Sequence, residues 1–513
     1  MKKPNFTIYL ILLIYFLLYY QVLPNFSNNY KNLLNIFLLI FIYIFTFKLK
    51  FNILKYSTKP FKIKYFIYIY YFIFFAYLLQ LQYFHFYSFF LTDNDVVSVT
   101  GVIAETSKGN FFSAFHFGES PKSNYLSHHF SPILLVFIPF FKILPFRITY
   151  CITLLIFNLL GLFLWERISF HLFKKKILYL FISILPLLNG FIFNLFTSYH
   201  FESLLFFFFL FFYYGLITKN LKMELIGFLF CLLIKEDIPI YFSLLSFFFL
   251  FKVDTKRFLI YLLVSTFYYI LITYYIQPSL DPSAKVNWLL AWENWGTNKV
   301  EIIINILTNP KIVTLRLWEK RNILFNLLSS FGFIPLLSLS TFPSFLALYT
   351  LQILSERIWY NAFYHYYCYT ILPFLILGTF DILQKWKGKK MFPMIIISFC
   401  FILYNNKGNQ DFPIKIGNIN RERTENLNKV IPAIPKNSAV NTSFDLGMHL
   451  PLDLKIYPLK KDYLQEFILI DIRGTSPYYT IENIKEDIEK YLAENKIILF
   501  YSSGTVKLYK RIN

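Results

Sequence analysis

Apolar positions run along most of this chain in long unbroken stretches, not in the alternating or one-faced patterns of a water-soluble fold. A helix needs about 20 apolar residues to cross the hydrocarbon core of a bilayer. Runs of that order lie near 6–23, 33–48, 64–90, 147–166, 177–198, 258–277, 366–383 and 391–404. Shorter runs occupy 203–218, 223–236, 238–251, 322–338 and 343–355. The run 131–145 carries Pro132, Pro139 and Pro145, and these predict a bent or re-entrant segment. The pattern predicts an all-α polytopic membrane protein of about 13 transmembrane helices.

From Asn405 the pattern changes to a polar one. Strand-length apolar stretches stand at Phe467–Ile470 and Ile497–Tyr501. A charge-rich helical segment runs from Ile481 to Asn495, with Thr480 as its cap, and a last strand is expected at Thr505–Tyr509. The expected organisation is a multi-helix transmembrane domain, 1–404, with outer loops 91–130 and 278–321, followed by a small α/β domain, 405–513.

Composition supports lipid as the solvent. Hydrophobic residues make up 57% of the chain and charged ones 15%, against about 25% charged in soluble domains. The net charge of +21 would suggest nucleic acid in a soluble protein. Here the cations fall in clusters between apolar runs: Lys48–Lys64, Arg167–Lys176, Lys219–Lys222, Lys252–Arg257 and Lys385–Lys390. With the N-terminus inside, every cluster falls on the cytoplasmic side, and loops 91–130 and 278–321 and the tail face outward. Membrane lipid is therefore the expected partner and nucleic acid is not. A bacterial inner (cytoplasmic) membrane is the expected location.

Met1-Lys2-Lys3 and the run Phe6–Val22 have the charge order of a signal peptide. The run is long and Leu23-Pro24-Asn25-Phe26 offers no small-residue cleavage site, so a retained signal-anchor is expected. Cys151, Cys231, Cys368 and Cys400 form no CxxC pair and are expected to pack as small apolar side chains.

Ionisable groups at membrane depth are costly and mark function by default. Four strings stand out, and the topology puts all on the outer side. Thr92-Asp93-Asn94-Asp95 offers two carboxylates for a divalent metal or as a general base, or else a solvated helix end. His128 and His129, ahead of Ser131-Pro132, suit a metal or a phosphate, or else a polar interface. His200 and Glu202 lie between two apolar runs, in a site or a short solvated turn. Lys235-Glu236-Asp237 places three charges inside an apolar stretch. The choice there is between a hairpin turn before Pro239 and a site for an anionic head group. Weaker candidates are Glu356, Arg357 and His365, and Glu293 between Trp292 and Trp295, whose indoles are expected to anchor at the interface. The chain carries no Gly-rich phosphate loop, GxSxG elbow or HExxH helix.

These strings resemble an uncharacterised membrane family, number 2079 among the domains of unknown function. The resemblance rests on His128-His129-Phe130-Ser131-Pro132-Ile133 with Leu144-Pro145, on Tyr199-His200-Phe201-Glu202, and on Lys235-Glu236-Asp237. Phe333-Ile334-Pro335-Leu336, Tyr364-His365-Tyr366-Tyr367, Ile434–Val440 and Gly447-Met448-His449-Leu450 extend it over roughly residues 64 to 510. That family is similar in layout to the GT-C glycosyltransferases. The resemblance implies a membrane glycosyltransferase moving a sugar from a polyprenyl-phosphate donor to an extracytoplasmic acceptor. Asp93 or Asp95 would be the base. His128, His129, His200, Glu202, Lys235, Glu236 and Asp237 would bind substrate, with a divalent metal as the one cofactor expected. Relatives usually carry an aromatic-Asp-Leu-Gly string in the first loop, where this chain has Asp93-Asn94-Asp95-Val96. The alternatives are a transporter or flippase of a lipid-linked or small anionic substrate, and a non-catalytic envelope scaffold that presents the tail.

Overall fold

A computed structural model describes residues 60–91, 94–114, 124–173, 176–252, 254–281, 289–356, 366–385, 398, 401–402, 419–459, 464–473 and 481–512. The first two expected spans, 6–23 and 33–48, lie outside the described residues, as does most of 391–404.

Helix α1, Pro60–Tyr87, is the first described element. The loop expected at 91–130 contains helix α2, Asn94–Ser107, whose apolar side is buried. A single helical turn, Tyr125–His128, is capped by the Asn124 side chain. The proline-bounded run folds as a 3-10 turn, Pro132–Phe137, running into a short helix, Ile138–Ile143, so the bent segment expected there is present. Helix α3, Ile148–Leu172, follows.

The run expected as one span at 177–198 is broken. Helix α4, Lys176–Ile184, gives way to a 3-10 turn, Leu185–Leu188, and helix α5, Gly190–Thr197, leaves at 50° to the preceding segment. Two local causes act together. Pro186 supplies no N–H, and the Asn189 side chain accepts from the amides of Phe191 and Ile192, starting a new helix.

Next come α6, Leu204–Ile217; α7, Leu221–Leu232; α8, Ile238–Lys252; and α9, Thr255–Ile270. The last continues through a π-turn, Leu271–Ile276, to Gln277–Leu280. Asn220 caps α7 and Asp254 caps α9, each accepting a backbone N–H three residues on. The second long loop folds into α10, Lys299–Thr308, and α11, Pro310–Glu319. Helices α12, Arg321–Ser329, α13, Phe342–Ile353, and α14, Leu372–Lys385, complete the helical part.

Three described helical segments are long and apolar enough to cross a membrane: Lys64–Tyr87, Ile148–Leu172 and Thr255–Leu280. The bent pair α4–α5 adds a fourth if it is one span. The segments Pro132–Ile143, Phe201–Ile217, Ile238–Lys252 and Phe342–Ile353 are apolar but shorter. The described residues thus give three or four clear spans where the apolar runs predict about 13 crossings.

The tail begins with α15, Arg421–Val430. A five-stranded sheet follows from β1, Ala439–Thr442; β2, Lys455–Pro458; β3, Phe467–Asp471; β4, Ile497–Ser503; and β5, Val506–Arg511. Helix α16, Ile481–Ala493, connects β3 to β4. Strand order is β2-β1-β3-β5-β4. Strand β1 pairs in parallel with β2 and β3, and β5 pairs antiparallel with β3 and β4. The strands at 467–470 and 497–501, the helix and the last strand all form where the sequence places them.

Buried residues of the tail, among them Val440, Leu446, Met448 and Leu469, join the same apolar core as the membrane helices. Polar contacts reinforce the junction. Arg147, fully buried at the head of α3, donates to the carbonyls of Leu450, Pro451 and Leu454 and to Thr100 Oγ1. His449 lies between Phe86 and Phe89, at 4.0 and 4.3 Å from ring centre to ring centre, and its Nε2–H donates to the Phe86 carbonyl. Arg423 pairs with Asp445 and Asp471 and sits 4.1 Å from the Phe89 ring centre.

The bundle therefore has two distinct ends. One carries the tail, Arg147 and the links between α5 and α6 and between α7 and α8. The other gathers basic residues on buried carboxylates. There Arg257 and Tyr261 donate to Glu224, Lys252 and Lys385 to Asp381, and Tyr68 to Glu166.

Candidate functional site at the tail end of the bundle

The charged strings of the sequence meet at the end that carries the tail. Glu202 sits in a one-turn helix, Phe201–Ser203, between α5 and α6, and is buried. Lys235 arrives from the link between α7 and α8 and places Nζ 2.7 Å from Glu202 Oε1. His200 Nδ1 lies 3.8 Å from Glu202 Oε2. A lone buried charge would be severely penalised, so the Lys235–Glu202 pair is the condition for either group to be there.

Glu236 turns the other way. Its Oε2 accepts the Phe130 N–H at 2.9 Å, and its Oε1 lies 3.2 Å from His129 Nδ1. The Ile133 N–H donates to the Leu233 carbonyl, so the histidine string and the acidic link are stitched together along their backbones too. Asp237 Oδ2 accepts from the hydroxyls of Tyr241 and Tyr369 at 2.8 and 2.7 Å. Tyr369 comes from the 3-10 turn Tyr366–Thr370 ahead of α14, and its ring centre is 5.9 Å from Lys235 Nζ.

Tyr125 lies within reach of several of these charges, and its ring centre is 5.8 Å from that of His129. It is buried, and burial pushes its hydroxyl well above the usual phenol range. The charges of Glu202 and Asp95 push it in the same direction, and Lys235 and Glu236 are also close enough to act on it. Asp95, in the first turn of α2, is thereby placed beside the cluster.

The two adjacent carboxyls differ in character. Burial would raise both. Glu236 is nonetheless drawn below the usual carboxylate range by the hydrogen bond and charge of His129, followed by Lys235. Asp237 stays above its usual range, because burial and the neighbouring Glu236 outweigh Lys235 and the two tyrosines. Neighbouring carboxyls pushed in opposite directions are the arrangement from which acid and base roles are drawn.

Of the residues singled out in the sequence, His129, His200, Glu202, Lys235, Glu236 and Asp237 are joined by these contacts, and Asp95 lies alongside. His128 faces His129 on one side and the charge of Asp281 on another. Asp93 lies outside the described residues, as do Arg357 and His365. Glu356 lies apart from the cluster, 3.5 Å from Arg316 Nη2, and Glu293 is exposed. Trp292 and Trp295 correct an expectation. Both are buried, and their indole N–H groups donate to the carbonyls of Leu351 and Leu354, so they hold α13 in place and do not anchor at an interface. Cys151 and Cys231 are free and buried, as expected.

Among the described residues no three His, Cys, Asp or Glu side chains come together in a ligating group. Lys235 already neutralises Glu202, and His129 is matched with Glu236. Tyr125, Tyr241 and Tyr369 were not legible as site residues, although Tyr241 stands four residues after Asp237, one helical turn along α8.

A bundle of apolar helices with a small sheet domain and a buried charged cluster at one end defines a multi-span membrane protein. The chain belongs to the family described as Predicted membrane protein (DUF2079), which it matches over residues 85–503. No curated protein matches the chain.

Proposed function

We propose that the chain is a membrane glycosyltransferase that moves a sugar from a polyprenyl-phosphate donor to an acceptor on the extracytoplasmic face. The supporting observation is that His129, His200, Glu202, Lys235, Glu236 and Asp237 meet through their contacts at the end of the bundle that carries the tail, with the charge of Asp95 acting on Tyr125 alongside those of Glu202, Lys235 and Glu236. In this proposal the chain divides near residue 405 into a transmembrane domain, N-terminus inside, and an extracytoplasmic α/β domain in a bacterial inner membrane.

The chemistry is a substitution at the sugar's anomeric carbon. The acceptor oxygen forms the new bond, the bond to the phosphate oxygen breaks, and the acceptor proton passes to a carboxylate. Asp95 is that base, since its charge reaches Tyr125 together with those of Glu202, Lys235 and Glu236. The departing polyprenyl phosphate carries the developing charge, and Lys235 with His129 and His200 supplies the cationic field that stabilises it. Glu202 keeps Lys235 charged and oriented in the absence of substrate. Among the ion-paired side chains of the cluster His129 is the most exposed, 35% against 16% for Glu236 and 11% for Lys235, so substrate reaches these pairs from the His129 side.

The test is consumption of a labelled polyprenyl-phosphate sugar by membrane vesicles. Vesicles with the wild-type chain should consume it, and those with Asp95→Asn or Lys235→Met should fall by a factor of about 100 or more. Equal consumption with and without the protein would defeat the proposal.

A transporter is the second candidate. The observation that favours it is the break between α4 and α5, a helix interrupted within the bundle. It requires movement of substrate across sealed vesicles without any new glycosidic bond.

A further inference from the structure

An open groove of about 350 Å³ lies at the corner between α10 and α11, apart from the charged cluster. Its walls are Asn294, Trp295, Asn305, Asn309, Arg316 and Glu356. It forms because Pro310 ends α10 and starts α11 at a corner, with Asn309 at the apex.

The groove is coupled to the cluster by a short path. The Trp295 indole donates to the Leu354 carbonyl at the end of α13. Two residues earlier, Gln352 donates to Thr370 Oγ1. Thr370 adjoins Tyr369, whose hydroxyl donates to Asp237.

We propose that this groove is a subsite for a neutral, hydroxyl-rich ligand, a saccharide, and that it holds the acceptor. The acceptor role rests on the transferase assignment of the charged cluster; the saccharide chemistry does not.

Three observations carry it. The charge of Arg316 is matched: among the described residues it lies 3.5 Å from Glu356 and 3.9 Å from Glu319, and Lys320 is within reach of the same two carboxylates. The amides are fixed: Asn305 Nδ2 donates to the Trp295 carbonyl and Asn309 Nδ2 to the Asn305 carbonyl, so each side-chain oxygen is held as an acceptor for a hydroxyl. The Arg316–Glu356 pair brings guanidinium donors and carboxylate acceptors to the same wall, and Ile312 and Trp295 add apolar wall. The volume falls within the range of small-molecule sites, about 300–1,000 Å³.

The test uses the purified full chain in lipid nanodiscs, applied to an array of neutral oligosaccharides and their phosphorylated counterparts. At least one neutral glycan should be retained. Asn305→Ala and Arg316→Ala should each weaken its Kd tenfold or more. Ile312→Trp, which fills the groove and leaves its polar groups in place, should do the same with the thermal unfolding midpoint unchanged. Glu236→Gln should bind as wild type. Retention of no neutral glycan, retention of phosphorylated glycans alone, or wild-type binding by the groove variants would each overturn the proposal. Loss of binding in Glu236→Gln would overturn it too, by moving the ligand into the charged cluster. Binding is read without turnover, so a failed transferase assignment and a failed groove give different results.

Discussion

Lys235 and Glu202 are each tolerable in the bundle only because of the other. Removing one partner of a buried pair leaves an uncompensated charge and costs about 3–5 kcal/mol, whereas replacing both with apolar groups is often close to neutral. Lys235→Met alone and Glu202→Leu alone should therefore lower the unfolding midpoint clearly, and the double variant should recover most of the loss. A double variant as unstable as the sum of the singles would show the pair to be unimportant for stability. His449 gives a pH dependence. Burial, with Arg423 adding to it, lowers its pKa to about 3. The unfolded chain takes up the proton near the ordinary 6.5, so the histidine's contribution is fully present above that pH. It is lost as pH falls toward 3, at about 1.4 kcal/mol per unit. Docking of the tail, followed by proteolytic release, should weaken between pH 7 and pH 5, and His449→Phe should flatten that dependence. The charged strings were legible because an ionisable group in an apolar run is costly and stands out from its neighbours. Tyr125, Tyr241 and Tyr369 were not, because 40 tyrosines in the chain leave nothing to distinguish the three that matter.

At the scale of elements, α6 and α7 form the closest helix contact. A Cβ on Gly227 would lie 2.5 Å from the Phe212 amide nitrogen, and one on Gly215 would lie 2.4 Å from the Glu224 nitrogen. Small residues allow such backbone approach in lipid, where helix association depends on packing. Phe212 in turn packs against Phe228, Phe242, Phe249 and Tyr261, so prising α6 from α7 would disturb the aromatic centre of the bundle. Gly227→Leu should cost about 1–3 kcal/mol or more and reduce the yield of monodisperse protein in detergent; a yield equal to wild type would mean that the two helices can part freely. Apolar length marked where most of these helices lie but not how they are joined. The break between α4 and α5 depends on Pro186 and Asn189 acting together, and each is tolerated alone within apolar runs. Helix α2 was hidden in the first loop because its apolar side is covered by the tail, a contact that no local pattern encodes.

At the scale of the whole molecule, the two ends of the bundle differ in chemistry. One gathers Arg257, Lys252 and Lys385 on buried carboxylates, and the other carries the charged cluster and the sheet. Clusters of Lys and Arg favour the cytoplasmic side, so the proposed topology has the charged cluster and the sheet outside. A cysteine placed at exposed Lys490 should react with a membrane-impermeant maleimide in intact cells. One placed at Lys222 should react only after permeabilisation, and the reverse pattern would invert the topology. The grouping of the charged strings at one end of the bundle was legible from the sequence. The docking of the tail was not, because Arg147 meets backbone carbonyls of Leu450, Pro451 and Leu454, which leave no trace in side-chain pattern. The central claim is that the cluster at that end transfers sugar from a lipid donor. The most direct measurement is the profile of lipid-linked and envelope glycans in a deletion strain, complemented by wild type and by Glu236→Gln. The prediction is a glycan lacking one sugar in the deletion, restored by wild type and not by Glu236→Gln. An unchanged glycan profile in the deletion would contradict it.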